Sequence, residues 1–437
     1  MKQFFGECIL IYLRFFARIK LKRIHPTIIG VTGSVGKTSA INALHTIISP
    51  VLPTKTTLKG NSESGIPLEI LNIRLKDFSF WSWLWACVLA PMRMFDGESY
   101  EVLIVEMGVD APTEPKNMEY LLKIVRPDIG VLLNVAPAHT EQFGGDLQAI
   151  AREKSKLVTS MGKEQTAIIN SDDPLLRPLL FRLSAKIKTF GFASGTTLQC
   201  TGYEQQRMGT KFTYTKDDIE YRLQFARQIF FKEYGLIFAA ALLAAESVGI
   251  EVADGIRQLE KNYHLPAGRL SILEGVKGAM IIDSSYNASP MAMHSVLTLL
   301  KQIPCKGKRI AVLGDMRELG ILAGKKHKEI GIYAGKVADR IILVGPLMKQ
   351  YTYPVLVESG FSKKNLFHFD TAKDVGQFII DQMMTNSDCV LVKGSQNTIF
   401  LETVVFDLMK DKQHASRLLC RQSPYWDRVR TSFFKGK

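Results

Sequence analysis

Cysteine is sparse in this 437-residue sequence and scattered: Cys8, Cys87, Cys200, Cys305, Cys389 and Cys420, with no C-x-x-C pair and no neighbouring histidine pair. That excludes a disulfide scaffold and a Cys/His zinc site, and fits thiols kept reduced in a cytosol. Low-complexity tracts and internal repeats are also missing. With 46% apolar and 22% charged residues, the chain is neither disordered nor fibrous. Acidic residues are in deficit, 42 Asp and Glu against 56 Lys and Arg, a net charge of +14. That sign favours polyanionic partners, nucleotide phosphates or an anionic membrane surface. The cations are spread out with no recognition motif among them, so nucleic acid is not expected.

No apolar run reaches the ~20 residues of a spanning helix. Two shorter segments bear on a membrane. Residues 1–27 read as an amphipathic N-terminal helix, with Phe4, Phe5, Cys8, Tyr12, Phe15, Phe16 and Ile19 on one face and Glu7, Arg14 and Arg18 opposite. It either packs on the next domain or lies on the inner membrane surface. Phe80 to Met92 carries three of the four tryptophans, Trp81, Trp83 and Trp85. Beside Arg93, such an aromatic cluster suits a membrane interface, with a buried helix or a partner surface as alternatives.

From His25 onward, apolar strands alternate with helical stretches, which predicts a parallel sheet with crossover helices. Residues 211–225 break the pattern and read as a β-hairpin, a small antiparallel patch followed by an Ala-rich helix. Near Leu265-Pro266-Ala267-Gly268 the α/β alternation restarts. The predicted fold is α/β: a central P-loop ATPase domain over 28–265 and a C-terminal Rossmann-like domain over 266–437. The basic tail from Arg428 is expected to fray.

The strongest local signal is Thr32-Gly33-Ser34-Val35-Gly36-Lys37-Thr38-Ser39. A strand, a glycine-bearing loop and a helix start aim backbone N–H groups at one spot, a phosphate nest. Lys37 would reach the outer phosphates of ATP, and the Thr38 hydroxyl would hold Mg²⁺. Glu106 ends the apolar run Val102–Val105, where a carboxylate is costly without a cation.

This short T-G-x-x-G-K-T loop, with further stretches in matching order, resembles the Mur ligase family. Those stretches are Gly60-Asn61-Ser-Glu63-Ser-Gly-Ile-Pro67, Glu106-Met-Gly108, Asn134-Val-Ala-Pro-Ala-His139-Thr-Glu141 and Ala151-Arg-Glu-Lys154. They continue with Gly268-Arg269, Asp283-Ser-Ser-Tyr-Asn287-Ala-Ser-Pro290, Asp315-Met-Arg317-Glu318-Leu-Gly320 and Val392-Lys393-Gly-Ser395. The last three are most similar to the members that add D-alanyl-D-alanine in peptidoglycan synthesis. The resemblance implies a cytoplasmic, monomeric ATP- and Mg²⁺-dependent ligase that activates a carboxylate as an acyl phosphate and joins it to an amine. It implies that Glu106 and His139 hold Mg²⁺, together with Lys154 when carbamylated, as the matching lysine of the family often is. It also implies that Arg269 meets the γ-phosphate and that Asp283 and Asn287 hold the nucleotide. Asn61, Glu63, Asp315, Arg317, Glu318, Lys393 and Ser395 fall to the substrates. By themselves, His139 reads as structural and Lys154 as part of a solvated charged face.

Some positions depart from the family pattern. Muramyl ligases usually carry a uridine-binding domain before the phosphate loop, which here begins at Thr32. The usual H-x-x-x-N before the Ala-rich helix reads Glu233 and Ile237, and Ser284 and Ser289 replace an Asp and an Asn. Two alternatives therefore stay open: a relative with a lipid-linked, glutamyl or folate-like carboxylate acceptor, or a membrane-associated P-loop nucleotide switch.

Overall fold

A computed structural model describes residues 2–435 apart from 59, 76, 78, 137–139, 145, 207–208, 227, 318 and 396–398. His139 and Glu318 therefore lie outside the described residues. The chain divides into two compact units: 1–203 with 212–223 and 232–263, and 264–437 with the short segments 204–211 and 224–231.

The first unit opens with α1 (Lys2–Ile24), β1 (Thr27–Thr32), α2 (Lys37–Ile48), β2 (Thr54–Thr56), α3 (Gly65–Ile70) and α4 (Phe80–Arg93). It continues with β3 (Val102–Glu106), α5 (Met118–Ile124), β4 (Ile129–Leu132), α6 (Leu147–Thr159), β5 (Thr166–Asn170) and β6 (Lys186–Gly191). After β7 (Leu198–Gln205), β8 (Thr210–Lys216) and β9 (Ile219–Phe225) come α7 (Tyr234–Glu246) and α8 (Val252–Asn262). The sheet order is β2-β3-β1-β4-β5-β6-β7-β8-β9, with β1 parallel to both β3 and β4. β1 and β3 are buried along nearly their whole length, which is why they read as continuous apolar runs. β8 and β9 form the expected hairpin, closed by Asp217 and Asp218, both at positive φ, as a type I′ turn requires.

α1 corrects one expectation. Its buried stripe is Ile9, Leu13, Ala17 and Leu21, while Cys8, Tyr12 and Phe15 of the predicted apolar face are exposed. The helix is apolar on nearly every side, so period alone could not pick the packing face. What fixes it is Lys20: its buried ammonium donates to Asp96 Oδ2 at 2.7 Å and Glu98 Oε2 at 2.8 Å, and Lys55 also binds Glu98. A lysine buried this deeply is tolerated only when so paired.

The second unit holds β10 (Ser271–Glu274), β11 (Met280–Ser284), α9 (Pro290–Gln302), β12 (Arg309–Gly314), α10 (Ala323–Gly335), β13 (Arg340–Val344), β14 (Leu366–Phe369) and β15 (Cys389–Lys393). Its sheet runs β10-β11-β15-β12-β13-β14 and is parallel except for β10. The tail is helical from Pro424 to Lys435 rather than frayed, with Phe433 and Phe434 against the Phe400 ring.

Candidate active site

Placing β1 between β3 and β4 brings three carboxyl-end loops together, the position where α/β sheets bind ligands. The β1 loop is clamped to the loop after β4. Ser34 N–H donates to Asn134 O at 3.0 Å, Val35 N–H to Asn134 Oδ1 at 2.9 Å, and Asn134 Nδ2 to Val35 O at 2.9 Å. Ser34 Oγ adds a bond to Ala136 O and accepts from Ala136 N–H, each 2.9 Å. The loop is thus held in shape without a ligand. Gly36, at φ 90°, begins α2, and a Cβ there would stand 3.1 Å from Ile237 Cδ1. Gly33 is as tightly placed, 2.9 Å from Leu133 Cβ by the same construction. Ile237, one of the departures from the family pattern, therefore packs behind the loop. Ser39 Oγ lies 3.4 Å from the Tyr234 hydroxyl.

Lys37 leaves the first turn of α2 and donates to Gly33 O at 2.8 Å. Burial lowers its pKa, against the opposing pull of Glu106 and Asp110. Thr38 Oγ1 donates to Glu106 Oε2 at 3.1 Å, and Asn61 Nδ2 donates to Glu106 Oε1 at 3.1 Å. The strand end itself is anchored by Glu106 N–H to Thr57 Oγ1 and by Thr32 Oγ1 to Met107 O. Asn61, assigned to substrate in the sequence, thus orients the carboxylate, while Glu63 is half-buried two residues further on. Thr57 went unnoticed because a threonine after a short edge strand carries no signal.

Lys154 is buried on α6, not part of a solvated face. Burial is the larger cause and the Lys37 cation the next in bringing its pKa to about 8, with Asp110 and Glu153 opposing. Its neighbour Glu153 accepts from Met118 N–H at 2.8 Å at the start of α5, a structural role. The hydroxyl of Thr38 and the carboxylate of Glu106 are hard oxygen donors side by side, which suits Mg²⁺. Among the described residues no group of three or more His, Cys, Asp or Glu could hold a metal.

The second unit brings its own predicted residues to the carboxyl ends of β11 and β15. Asp283 is fully buried; its Oδ1 accepts from Ser285 N–H at 3.0 Å, and its Oδ2 has no partner. Burial raises its pKa. Lys393 donates to Ser284 Oγ at 3.1 Å and Asn287 O at 2.8 Å. Burial takes its pKa down to about 7, against Asp283 and with help from Arg269. Arg269 follows Gly268 (φ 74°) and lies 4.6 Å from the Tyr286 ring centre. Arg421, which the sequence did not single out, lies 5.2 Å from the same ring and donates to Tyr286 O and Glu402. Tyr286 is thus fixed by two guanidiniums. Asn287 is exposed, with its Oδ1 accepting from Ala288 N–H.

Asp315, expected on the substrate side, is held by backbone amides. It is buried, accepting from Met348 N–H at 2.8 Å and Leu347 N–H at 3.2 Å. It ties β12 to the turn after β13. Ser395 is also buried, donating its N–H to Asp315 O, and Arg317 is exposed.

Comparison with known proteins matches residues 31–231 to the Mur ligase middle domain and residues 268–396 to the Mur ligase glutamate ligase domain. The UDP-N-acetylmuramoyl-tripeptide–D-alanyl-D-alanine ligase of Bacillus subtilis is 27% identical over 400 residues, covering 91% of this chain and 79% of that protein. A crystal structure of MurF ligase from Thermotoga maritima in complex with ADP is 24% identical with a TM-score of 0.70, covering 93% of this chain and 84% of that one. A MurF structure from Acinetobacter baumannii superimposes with a TM-score of 0.74 at 23% identity, over 92% of this chain and 81% of that one.

Proposed function

This chain belongs to the Mur ligase family of ATP-dependent amide-bond ligases, and from that premise we propose that it adds D-alanyl-D-alanine to the terminal carboxylate of a muramyl tripeptide in the cytoplasm. The supporting observation is the meeting of Thr38 and Glu106 at the foot of the phosphate loop, with the half-buried Lys37 near Glu106 and the buried Lys154 near Lys37.

The backbone N–H groups of the loop and the Lys37 ammonium bind the phosphates of ATP. Thr38 and Glu106, with His139 by family resemblance, would hold Mg²⁺, and the ion would supply positive charge against the phosphates. The tripeptide carboxylate oxygen attacks the γ-phosphorus, ADP leaves, and an acyl phosphate forms. The D-alanyl-D-alanine amine attacks the acyl carbon, loses a proton, and expels inorganic phosphate.

Lys154 enters this reading as a carbamate. The modification needs the neutral amine, and a pKa of about 8 leaves an appreciable neutral fraction near pH 7. Adding CO₂ to the neutral amine, with loss of one proton to solvent, would remove the repulsion from Lys37 and provide anionic oxygens suited to Mg²⁺. Arg269, Asp283 and Asn287 are assigned to the nucleotide, and Asn61, Glu63, Asp315, Arg317, Glu318, Lys393 and Ser395 to the substrates. The enzyme works peripherally at the inner face of the membrane.

The test is ADP release with ATP and Mg²⁺ in the presence of UDP-N-acetylmuramoyl-tripeptide, D-alanyl-D-alanine, or both. Turnover only with both supports this reading. ATP binding without turnover contradicts the acceptor and redirects the search to lipid-linked, glutamyl or folate-like carboxylates.

A further inference from the structure

Two helices of the first unit turn large apolar side chains to solvent. α4 buries Ala86 and Ala90, while Trp81, Leu84, Trp85, Val88 and Met92 are exposed, Trp81 by 74% and Met92 by 69%. At spacings of three and four these five form one helical face. An ordinary surface helix has the reverse arrangement, its large apolar residues toward the core. α1 packs against α4 and likewise leaves Ile11 and Phe15 more than half exposed.

Cations border these faces. Arg18 and Lys22 are exposed on α1, Arg93 closes α4, and Arg23 lies 5.9 Å from the ring of the exposed Phe95. Next to α1 is a 450 Å³ cleft whose lining includes Arg18, Lys22, His25, Lys123 and Arg126. The carboxylate that also lines it, Asp128, is occupied by Ile28 N–H at 2.8 Å.

We propose that α1 and α4 dock this protein on an anionic bilayer surface, with Trp81 and Trp85 at the boundary between head groups and acyl chains and the basic cleft receiving a lipid phosphate. Charge complementarity selects this occupant. Tryptophans bordered by arginines suit the membrane interface, and basic residues beside an apolar helical face are attracted to acidic lipids. A small ligand would not account for the uncovered aromatic face. The proposal rests on the cytoplasmic placement given above but not on the ligase chemistry.

The experiment measures binding of the full chain to phosphatidylglycerol-containing vesicles and to phosphatidylcholine vesicles, by co-sedimentation and by the shift of tryptophan emission. Binding should be selective for the anionic vesicles, weaken with salt, and blue-shift the emission. The Arg18→Gln/Arg126→Gln variant should bind about thirtyfold more weakly, at roughly 1 kcal/mol per cation near the surface. The Trp81→Ser/Trp85→Ser variant should lose the emission shift and most of the binding while keeping its solution activity. Equal binding to both vesicles, no binding to either, or a tryptophan variant that dissociates a dimer but still binds vesicles would overturn the proposal. Selective binding by a protein without ligase turnover would support it while contradicting the activity.

Discussion

The half-buried Lys37 and the buried Lys154 are close enough for the first cation to lower the pKa of the second, and the proposed phosphate chemistry turns on them. Lys37→Ala should lower kcat by about 10²–10³, the usual cost of removing a group that stabilises transition-state charge, with an unchanged melting temperature as the check on folding. For Lys154, activity measured after CO₂ depletion should fall and recover on adding bicarbonate, whereas Lys154→Ala should be inactive and indifferent to bicarbonate. Glu106→Gln should raise the Mg²⁺ concentration needed for half-maximal activity. A titration unchanged from wild type would remove Glu106 from the metal site. Lys393 allows a test by pH. Its proton leaves at about pH 7 in the folded protein, whereas the unfolded chain keeps it to near 10.5. The unfolded state therefore binds more protons between those values, and stability rises with pH across that window. Wild type should gain in melting temperature on Lys393→Met from pH 7 to 10. At this scale the candidate phosphate loop and Glu106 stand out in the sequence, because glycine spacing and a charge ending an apolar strand are local signals. It could not reveal that Asp315 is tied to backbone amides, or that Arg421 and Arg269 share Tyr286, because those partners meet only through the fold.

Among elements, strands were the most legible, since full burial leaves continuous apolar runs, and the β8–β9 turn was legible from Asp217 and Asp218. α1 was not. With apolar residues nearly all round, its packing face depends on where Lys20 finds Asp96 and Glu98. The sequence of α4 suits an interface, but its inward face is set only by packing, which buries Ala86 and Ala90. Their size should set its stability response. Ala90→Leu overfills a closed contact and should cost about 1–3 kcal/mol, while Trp81→Ser on the outer face should stay within about 0.5 kcal/mol. Urea unfolding midpoints of the two variants provide the comparison. Equal losses would mean that α4 packs by its tryptophans.

For the whole molecule, alternating strands and helices were enough to predict two α/β bodies, because parallel sheets require crossover helices. The grouping of 204–211 and 224–231 with the second unit was not legible, since nothing in a hairpin's composition says which body it joins. Ligation through an acyl phosphate requires the acceptor carboxylate to pass one of its own oxygens to phosphate. The most direct test is to label the terminal carboxylate of the muramyl tripeptide with ¹⁸O and examine the inorganic phosphate released during ligation. Transfer of one labelled oxygen into phosphate per amide bond formed is predicted. Unlabelled phosphate alongside ADP release would contradict acyl-phosphate formation and leave a nucleotide hydrolase or switch on a ligase fold.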